Sequence, residues 1–261
     1  MNKKNYEYDG WELKFFDKSK NFRNYQLSLI KDYLKGYLAE VGPGTGINLI
    51  NYYKYPNRID LFEPTKKLYF KLRRKFSRNK KIKFFNKTFG GKKKYDTIIY
   101  LDVIEHIKND KKEIIKALGL LKKSGNLIIN VPAFSYLYSN FDRDVGHYKR
   151  YSKNDFKKIL KKLTYQKVNF LYYDSVGYFL SILSKIFISN YKDNFEKKIK
   201  LWDSLIWLSK IVDIITFRLF GKSLLIIVKK WIIYYKNIFY KYHWNKLDYN
   251  LGCEFLDYLR K

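Results

Sequence analysis

Glu40-Val41-Gly42-Pro43-Gly44-Thr45-Gly46 sets three glycines at alternate positions, between an apolar run and a helix-forming one. Without a Cβ, such a stretch turns sharply and lets its backbone come close to a ligand. It sits inside an alternating pattern. Tyr37–Val41, Arg58–Phe62, Ile82–Phe85, Thr97–Leu101 and Asn126–Val131 read as short strands. Ile47–Tyr53, Thr65–Ser77 and Lys108–Lys122 read as helices between them; in the last, Ile114, Ile115, Leu118 and Leu121 keep helical spacing. Strands alternating with helices imply right-handed crossovers and a parallel sheet covered on both faces. Asn154–Leu163 adds a helix, and Lys167–Tyr173 and Leu224–Val228 add two strands around an apolar insert, residues 176–220. No repeat or Pro/Ser-rich linker divides the chain. The expectation is one domain over residues 1–230 and an aromatic, basic extension over 231–261 that fits none of the alternation.

The glycine loop excludes two common ligands. A nucleotide-triphosphate loop ends in Gly-Lys-Ser/Thr, and Gly46 is followed by Ile47-Asn48. A dinucleotide fingerprint beginning at Gly42 needs a third glycine where Ile47 stands. Glu40 at the loop mouth repels a pyrophosphate and attracts an ammonium or sulfonium. A second acid, Glu63, closes the next strand, where a carboxylate can accept both hydroxyls of a ribose. A positively charged nucleoside with a free ribose is S-adenosylmethionine. The competing reading is a tight strand-to-helix turn with no ligand; the two acids favour the cofactor.

Glu40–Gly46, Glu63 and Tyr95-Asp96-Thr97-Ile98-Ile99-Tyr100-Leu101-Asp102-Val103-Ile104-Glu105-His106 resemble the motifs of the class I, seven-stranded S-adenosylmethionine-dependent methyltransferases. The Glu105-His106 pair is similar to the ubiquinone-biosynthesis O-methyltransferase type. The resemblance implies an α/β, Rossmann-like, mostly parallel sheet of order 3-2-1-4-5-7-6, with strand seven antiparallel and a helical insert before it. It also implies that Gly42, Gly44 and Gly46 wrap the methionine and ribose, with Glu40 at the ammonium and Glu63 at the ribose. Leu101 and Asp102 line the cofactor, and Arg23 is either the partner of the methionine carboxylate or a surface charge. Asn86-Lys87-Thr88-Phe89 lacks the acid that usually follows strand three, so no adenine contact is placed.

For an acceptor hydroxyl a base is wanted, and histidine is the natural one near neutrality. The chain has three histidines: His106, His147 and His243. His147 lies in Asp142-Arg143-Asp144-Val145-Gly146-His147-Tyr148-Lys149-Arg150-Tyr151, just past strand five, where loops build the ligand crevice. We read His147 as the base, with His106 as a second base, an orienting residue or a structural hydrogen bond. Tyr148, Arg150 and Tyr151 are expected at the acceptor, and no metal is expected. Gly-His-Tyr-Lys-Arg-Tyr after Val131-Pro132-Ala133 resembles a bacterial methyltransferase subgroup associated with cell-surface polysaccharides. The acceptor expected is therefore a small-molecule, glycan or lipid-linked hydroxyl. The Asn/Asp-Pro-Pro-Tyr signature of adenine and glutamine N-methylation would follow strand four; Leu101-Asp102-Val103-Ile104 stands there instead.

The formal charge is +30, from 54 Lys+Arg against 24 Asp+Glu. Of the cations 45 are Lys and 9 Arg, in a chain rich in Asn, Tyr and Phe with 3 Ala, which reads as A/T-rich codon usage. Phosphate recognition more often uses Arg, so nucleic acid, including an RNA acceptor, is the lesser reading. Residues 66–94 carry 14 Lys/Arg and no acid, on the adenine side of the expected sheet and away from the acceptor loops. The insert reads as extra core, as a lid, or as a surface-lying contact with lipid; Phe179, Ile182, Leu183, Ile186 and Phe187 keep helical spacing. A non-catalytic membrane- or partner-binding module that keeps the fold is the third functional reading. Charges interrupt every apolar stretch, so no spanning helix is expected. One cysteine, Cys253, permits no internal disulfide. The expected location is cytoplasmic, with peripheral contact at the inner membrane face.

Overall fold

The computed structural model describes residues 10–161, 163, 165–186 and 192–230. The helices are α1 (Leu13–Phe16), α2 (Lys20–Ile30), α3 (Ile47–Tyr52), α4 (Lys66–Phe76), α5 (Asp110–Gly119), α6 (Asn140–Asp144), α7 (Lys153–Leu160), α8 (Ser175–Ile186), α9 (Phe195–Ser204) and α10 (Ile206–Ile215). The strands are β1 (Tyr37–Val41), β2 (Arg58–Phe62), β3 (Ile82–Phe85), β4 (Tyr95–Leu101), β5 (Leu121–Pro132), β6 (Tyr165–Tyr173) and β7 (Ser223–Lys230). They form one seven-stranded sheet of order 3-2-1-4-5-7-6. β1 to β5 pair in parallel, and β7 runs antiparallel to both β5 and β6. This is the Rossmann-like order that the family resemblance implied. Phe187 and residues 231–261 lie outside the described residues.

The central strands are apolar almost throughout because both sheet faces are covered. Side chains alternate sides along a strand, so neighbours join different cores. Ala39, Val41, Ile98, Tyr100, Leu127, Ile129, Leu224 and Ile226 pack into one cluster. Leu38, Ile59, Leu61, Ile99, Leu101, Ile128, Leu225 and Ile227 pack into the other. Polar residues inside these strands stand out for that reason: Glu40, Asn126 and Asn130 are all buried.

The insert is three helices, α8 to α10. It leaves the sheet after β6 and returns at β7, so both of its ends lie at the edge that carries the glycine loop. Asp213 of α10 ties it down, accepting from Tyr25 Oη at 2.7 Å, Asp174 N at 2.8 Å and Ser175 N at 2.9 Å. The segment after β5 folds back onto the strand. Tyr151 N donates to Pro132 O at 2.9 Å, and Phe134 N to Tyr151 O at 2.8 Å. Tyr148 N reaches Glu105 O at 2.8 Å. These bonds carry the His147 segment to the turn that follows β4.

Candidate active site

The glycine loop closes tightly. Gly42, Gly44 and Gly46 have φ of +66°, +56° and +70°, the left-handed region that side chains disfavour. A Cβ on Gly42 would stand 2.8 Å from Val103 Cγ2, and one on Gly46 would stand 2.7 Å from Phe76 Cε2. The loop thus needs glycine both for its turns and for the close approach of β4's turn and of α4.

Glu63 grips this loop. Its carboxylate accepts from Gly44 N at 3.1 Å and from Thr65 N at 2.9 Å. Burial raises its pKa, and those backbone bonds only partly offset the rise. Glu40 accepts from Tyr52 Oη. Its pKa is pushed up to about 7, chiefly by burial, and the nearby Glu63 charge adds to the rise. Asp102, with φ +57°, accepts from Asn130 Nδ2 at 2.6 Å. Surrounding protein raises its pKa to about 6, although its residue surface remains open to water. Three carboxylates therefore gather at the carboxyl ends of β1, β2 and β4 with fewer donors than ionised acids can accept. That donor deficit fits a ligand bringing an ammonium, a sulfonium and ribose hydroxyls, and it disfavours a pyrophosphate. Leu101, at the end of β4, is buried in the same core as Leu38 and Leu61.

Arg23 lies on α2 and is buried. Its guanidinium donates to the carbonyls of Phe16 and Asp17 and pins the chain between α1 and α2. Thr45 Oγ1 of the glycine loop donates to Asp17 Oδ1 at 2.9 Å, so Arg23 supports the loop through the α1–α2 connection. These bonds use two of the five N–H donors of the guanidinium, and Arg23 is buried, which corrects the alternative expectation of a surface charge.

The second group centres on His147. Its Nδ1 lies 2.8 Å from Asp142 Oδ1. Asp142 is fully buried and receives Arg150 Nε at 2.9 Å and Nη2 at 2.9 Å, together with Ser139 N and Oγ, each at 2.9 Å. Burial alone would raise its pKa, but the bonds from His147 and Arg150 outweigh it and the net shift is downward. An ionised carboxylate only accepts, so His147 Nδ1 donates, and in the neutral ring that tautomer puts the lone pair on Nε2. His106 stacks edge-on to His147 at 4.7 Å between ring centroids. Burial, with the neighbouring His147, lowers the His106 pKa to about 4 and keeps its ring neutral.

Glu105 lies beneath the two rings, with Oε1 4.0 Å from His147 Nε2. Among the described residues neither of its oxygens has a hydrogen-bond partner. Burial, then the Asp102 charge, raises its pKa well above the usual carboxylate range. Glu105, His106 and His147 offer ligand atoms within 4.8 Å of one another. The 4.0 Å gap from Glu105 to His147 exceeds the roughly 3.4 Å between ligands of a tetrahedral ion held at about 2.1 Å.

The expected acceptor residues divide. Tyr148 is exposed. Arg150 is buried and bound to Asp142, and its Nη1 has no partner among the described residues. Tyr151 is core: its hydroxyl donates to Asp110 Oδ2 at 3.0 Å. Arg150 and Tyr151 therefore support the site from beneath. Sequence reasoning missed Asp142 as the partner of His147, since nothing in the chain order pairs an acid with a histidine five residues on. It also missed Asn130, whose Oδ1 accepts from Tyr173 Oη at 2.8 Å while its Nδ2 holds Asp102. A lone amide in the apolar run Leu127–Val131 was the available signal.

The family model described as "Methyltransferase domain" matches residues 17–169. No curated protein matches the chain. Among solved structures, phosphoethanolamine N-methyltransferase 2 of Haemonchus contortus, in complex with S-adenosyl-L-methionine, superposes with a TM-score of 0.57 at 13% identity, over 85% of this chain and 57% of that one. This chain thus spans little more than half the length of the Haemonchus protein. The N-methyltransferase NodS of Bradyrhizobium japonicum, in complex with S-adenosyl-L-homocysteine, gives 0.53 at 13% identity, over 85% and 92%. A SAM-dependent methyltransferase of Archaeoglobus fulgidus gives 0.52 at 19% identity, over 84% and 98%. At these identities the structures agree in fold, and the match over more than half the chain carries the family. The chain belongs to the methyltransferase-domain family, among the class I S-adenosylmethionine-dependent methyltransferases.

Proposed function

We propose that this protein transfers a methyl group to a hydroxyl of a small-molecule, glycan or lipid-linked acceptor, with His147 as the base. When bound, S-adenosylmethionine supplies the methyl group as an electrophile and leaves as a neutral thioether. Glu63 and the glycine loop hold the nucleoside, and Glu40 and Asp102 set negative potential beside the sulfonium. His147 Nε2 takes the hydroxyl proton as the new carbon–oxygen bond forms. Asp142 keeps the accepting nitrogen of His147 turned away from itself and stabilises the imidazolium that results. Arg150 and Ser139 hold Asp142 ionised. Alignment supplies much of the acceleration in such a transfer, and the base adds roughly 10²–10⁴-fold.

The observation that carries this reading is the 2.8 Å bond from His147 Nδ1 to a buried, ion-paired Asp142. The experiment is transfer of labelled methyl from the cofactor into fractionated cell extract. Label is expected in a low-molecular-weight, glycan or lipid fraction, in a linkage that resists the treatments that cleave esters. His147→Ala is expected to remove roughly 10²–10⁴-fold of the rate while leaving S-adenosylhomocysteine binding in place. Label on RNA, or cofactor binding without transfer into any fraction, overturns the proposal.

A further inference from the structure

Helix α10 turns its polar side inward and its longest apolar stripe outward. Ile206, Ser209 and Asp213 are buried. Trp207, Ile211, Ile214 and Ile215 lie opposite and are 47–69% exposed. Steps of four, three and one place them along one side of a helix. Past the helix end, Phe217 is 85% exposed and Leu219 68%. The surface continues onto α8, where Phe179 and Leu183 are half exposed, and the Phe179 ring meets Phe220 at 5.4 Å between centroids. Soluble monomers rarely expose so large a contiguous group of aromatic and branched side chains, so the face has a partner.

Its charges say which kind. Residues 175–186 contain no acid, and residues 204–230 contain one, Asp213, which is buried and hydrogen-bonded; on α9 between them Glu196 pairs with Lys18 and Lys200, and Asp203 accepts from Asn21 N and Phe22 N. The cations of α8, α10 and the turn after α10 are engaged within the fold: Lys185 donates to Tyr136 O, Lys210 lies over the Tyr25 ring at 5.6 Å, and Arg218 Nη1 donates to Tyr25 Oη at 2.9 Å, so the attraction to negative headgroups comes from the +30 of the whole chain. A second copy would bring another +30 chain whose α8 and α10 offer no exposed acid. A bilayer with negative headgroups offers both an apolar interior and opposite charge. Among the described residues no helix is long and apolar enough to cross a membrane. α10 has 10 residues, about 15 Å of helix, which suits lying in the interface with a tryptophan at headgroup depth.

We infer that the exposed α8–α10 face docks on an anionic lipid bilayer. The insert is rooted at the sheet edge that carries the glycine loop. α8 also touches the loop that follows β5, through Tyr136 Oη and Tyr178 Oη at 2.8 Å and through Lys185 to Tyr136 O. Docking there brings an acceptor held at the bilayer surface within reach of the His147 segment. The inference does not rest on the transferase reading, because vesicle binding is measured without turnover.

The test is co-sedimentation of the full chain with phosphatidylcholine vesicles, with and without phosphatidylglycerol, at low and high salt. The chain is expected to pellet with the anionic vesicles, and salt is expected to weaken binding without abolishing it. Ile211→Glu with Ile214→Glu should lower partitioning at least about tenfold while leaving S-adenosylhomocysteine binding by calorimetry unchanged. Tryptophan emission of the unmodified chain should be quenched by brominated lipid, and Trp207→Phe should remove most of that quenching. The inference is overturned if the unmodified chain stays in the supernatant, or if the double variant pellets equally well. It is also overturned if Lys67→Glu with Lys71→Glu abolishes binding while the isoleucine variant retains it. Self-association of a chain that ignores vesicles, lost in the double variant, would assign the face to a second copy instead.

Discussion

Glu40 and Asp142 show how far surroundings separate two buried carboxyl groups. Glu40 has Tyr52 as its donor and is pushed up to about 7; Asp142 has a histidine, an arginine and a serine and is driven down. The folded chain therefore holds the Glu40 proton more tightly than the unfolded chain. Its contribution to stability is fully present below the ordinary carboxylate range and disappears as pH rises through about 7. The gap corresponds to about 3 kcal/mol. Urea unfolding at pH 5 and pH 8 should show that Glu40→Gln changes the difference between the two, because the variant lacks the loss toward the higher pH that Glu40 contributes to the unmodified chain. Equal profiles would mean that Glu40 ionises as freely folded as unfolded. Asp142→Asn should cost roughly 3–5 kcal/mol in the same measurement, because it leaves the Arg150 charge buried without a counter-ion. It should also lower turnover by more than the stability loss explains, seen as a fall in kcat with the protein still folded. Of this chemistry, the two glycine-loop acids and His147 were legible from residue type and place along the chain. Asp142, Glu105 and Asn130 were not, because their roles come from burial and from contacts that only the folded β5 segment creates.

α4 packs tightly across the glycine loop. Gly46 opens α3 at φ +70° and has the side chains of Leu72 and Phe76 against its missing Cβ. Gly46→Ala should destabilise the chain by roughly 2–4 kcal/mol through left-handed strain together with displacement of α4. The measurement is chemical unfolding, with cofactor affinity measured alongside; an unchanged midpoint would show that α4 shifts freely. The seven strands were readable because a sheet buried on both faces writes continuous apolar runs, and their bounds fall within a few residues of expectation except for β5. β5 begins at Leu121 rather than Asn126, since Lys122, Lys123 and Ser124 carry no strand pattern yet the strand continues through them. The short helices α1 and α6 were not legible: four and five residues are too few to show a period. For α6 the sign was Ser139 with Asp142 three residues on, a capping box hidden in a cluster of charges.

S-adenosylhomocysteine binding should raise the melting temperature of the protein. At a hundredfold excess over Kd the gain is about 2.7 kcal/mol. For a fold of this size that is roughly 5–10 °C by calorimetry. Glu63→Ala should abolish the shift, and a shift that survives it would place the nucleoside elsewhere. The large positive charge needs no ligand of its own: the acid-free run over residues 66–94 lies on α4 and β3, at the sheet margin remote from β5 and the His147 segment.

β7 is the last described strand in the chain, yet it sits between β5 and β6. Until residues 223–230 leave the ribosome, β5 has a bare margin and β6 has no neighbour at all. A nascent chain must keep both from pairing with other molecules while the oily α8–α10 segment emerges between them. Closure of the sheet thus waits for β7, and translation stalled before Ser223 would release a species prone to aggregate.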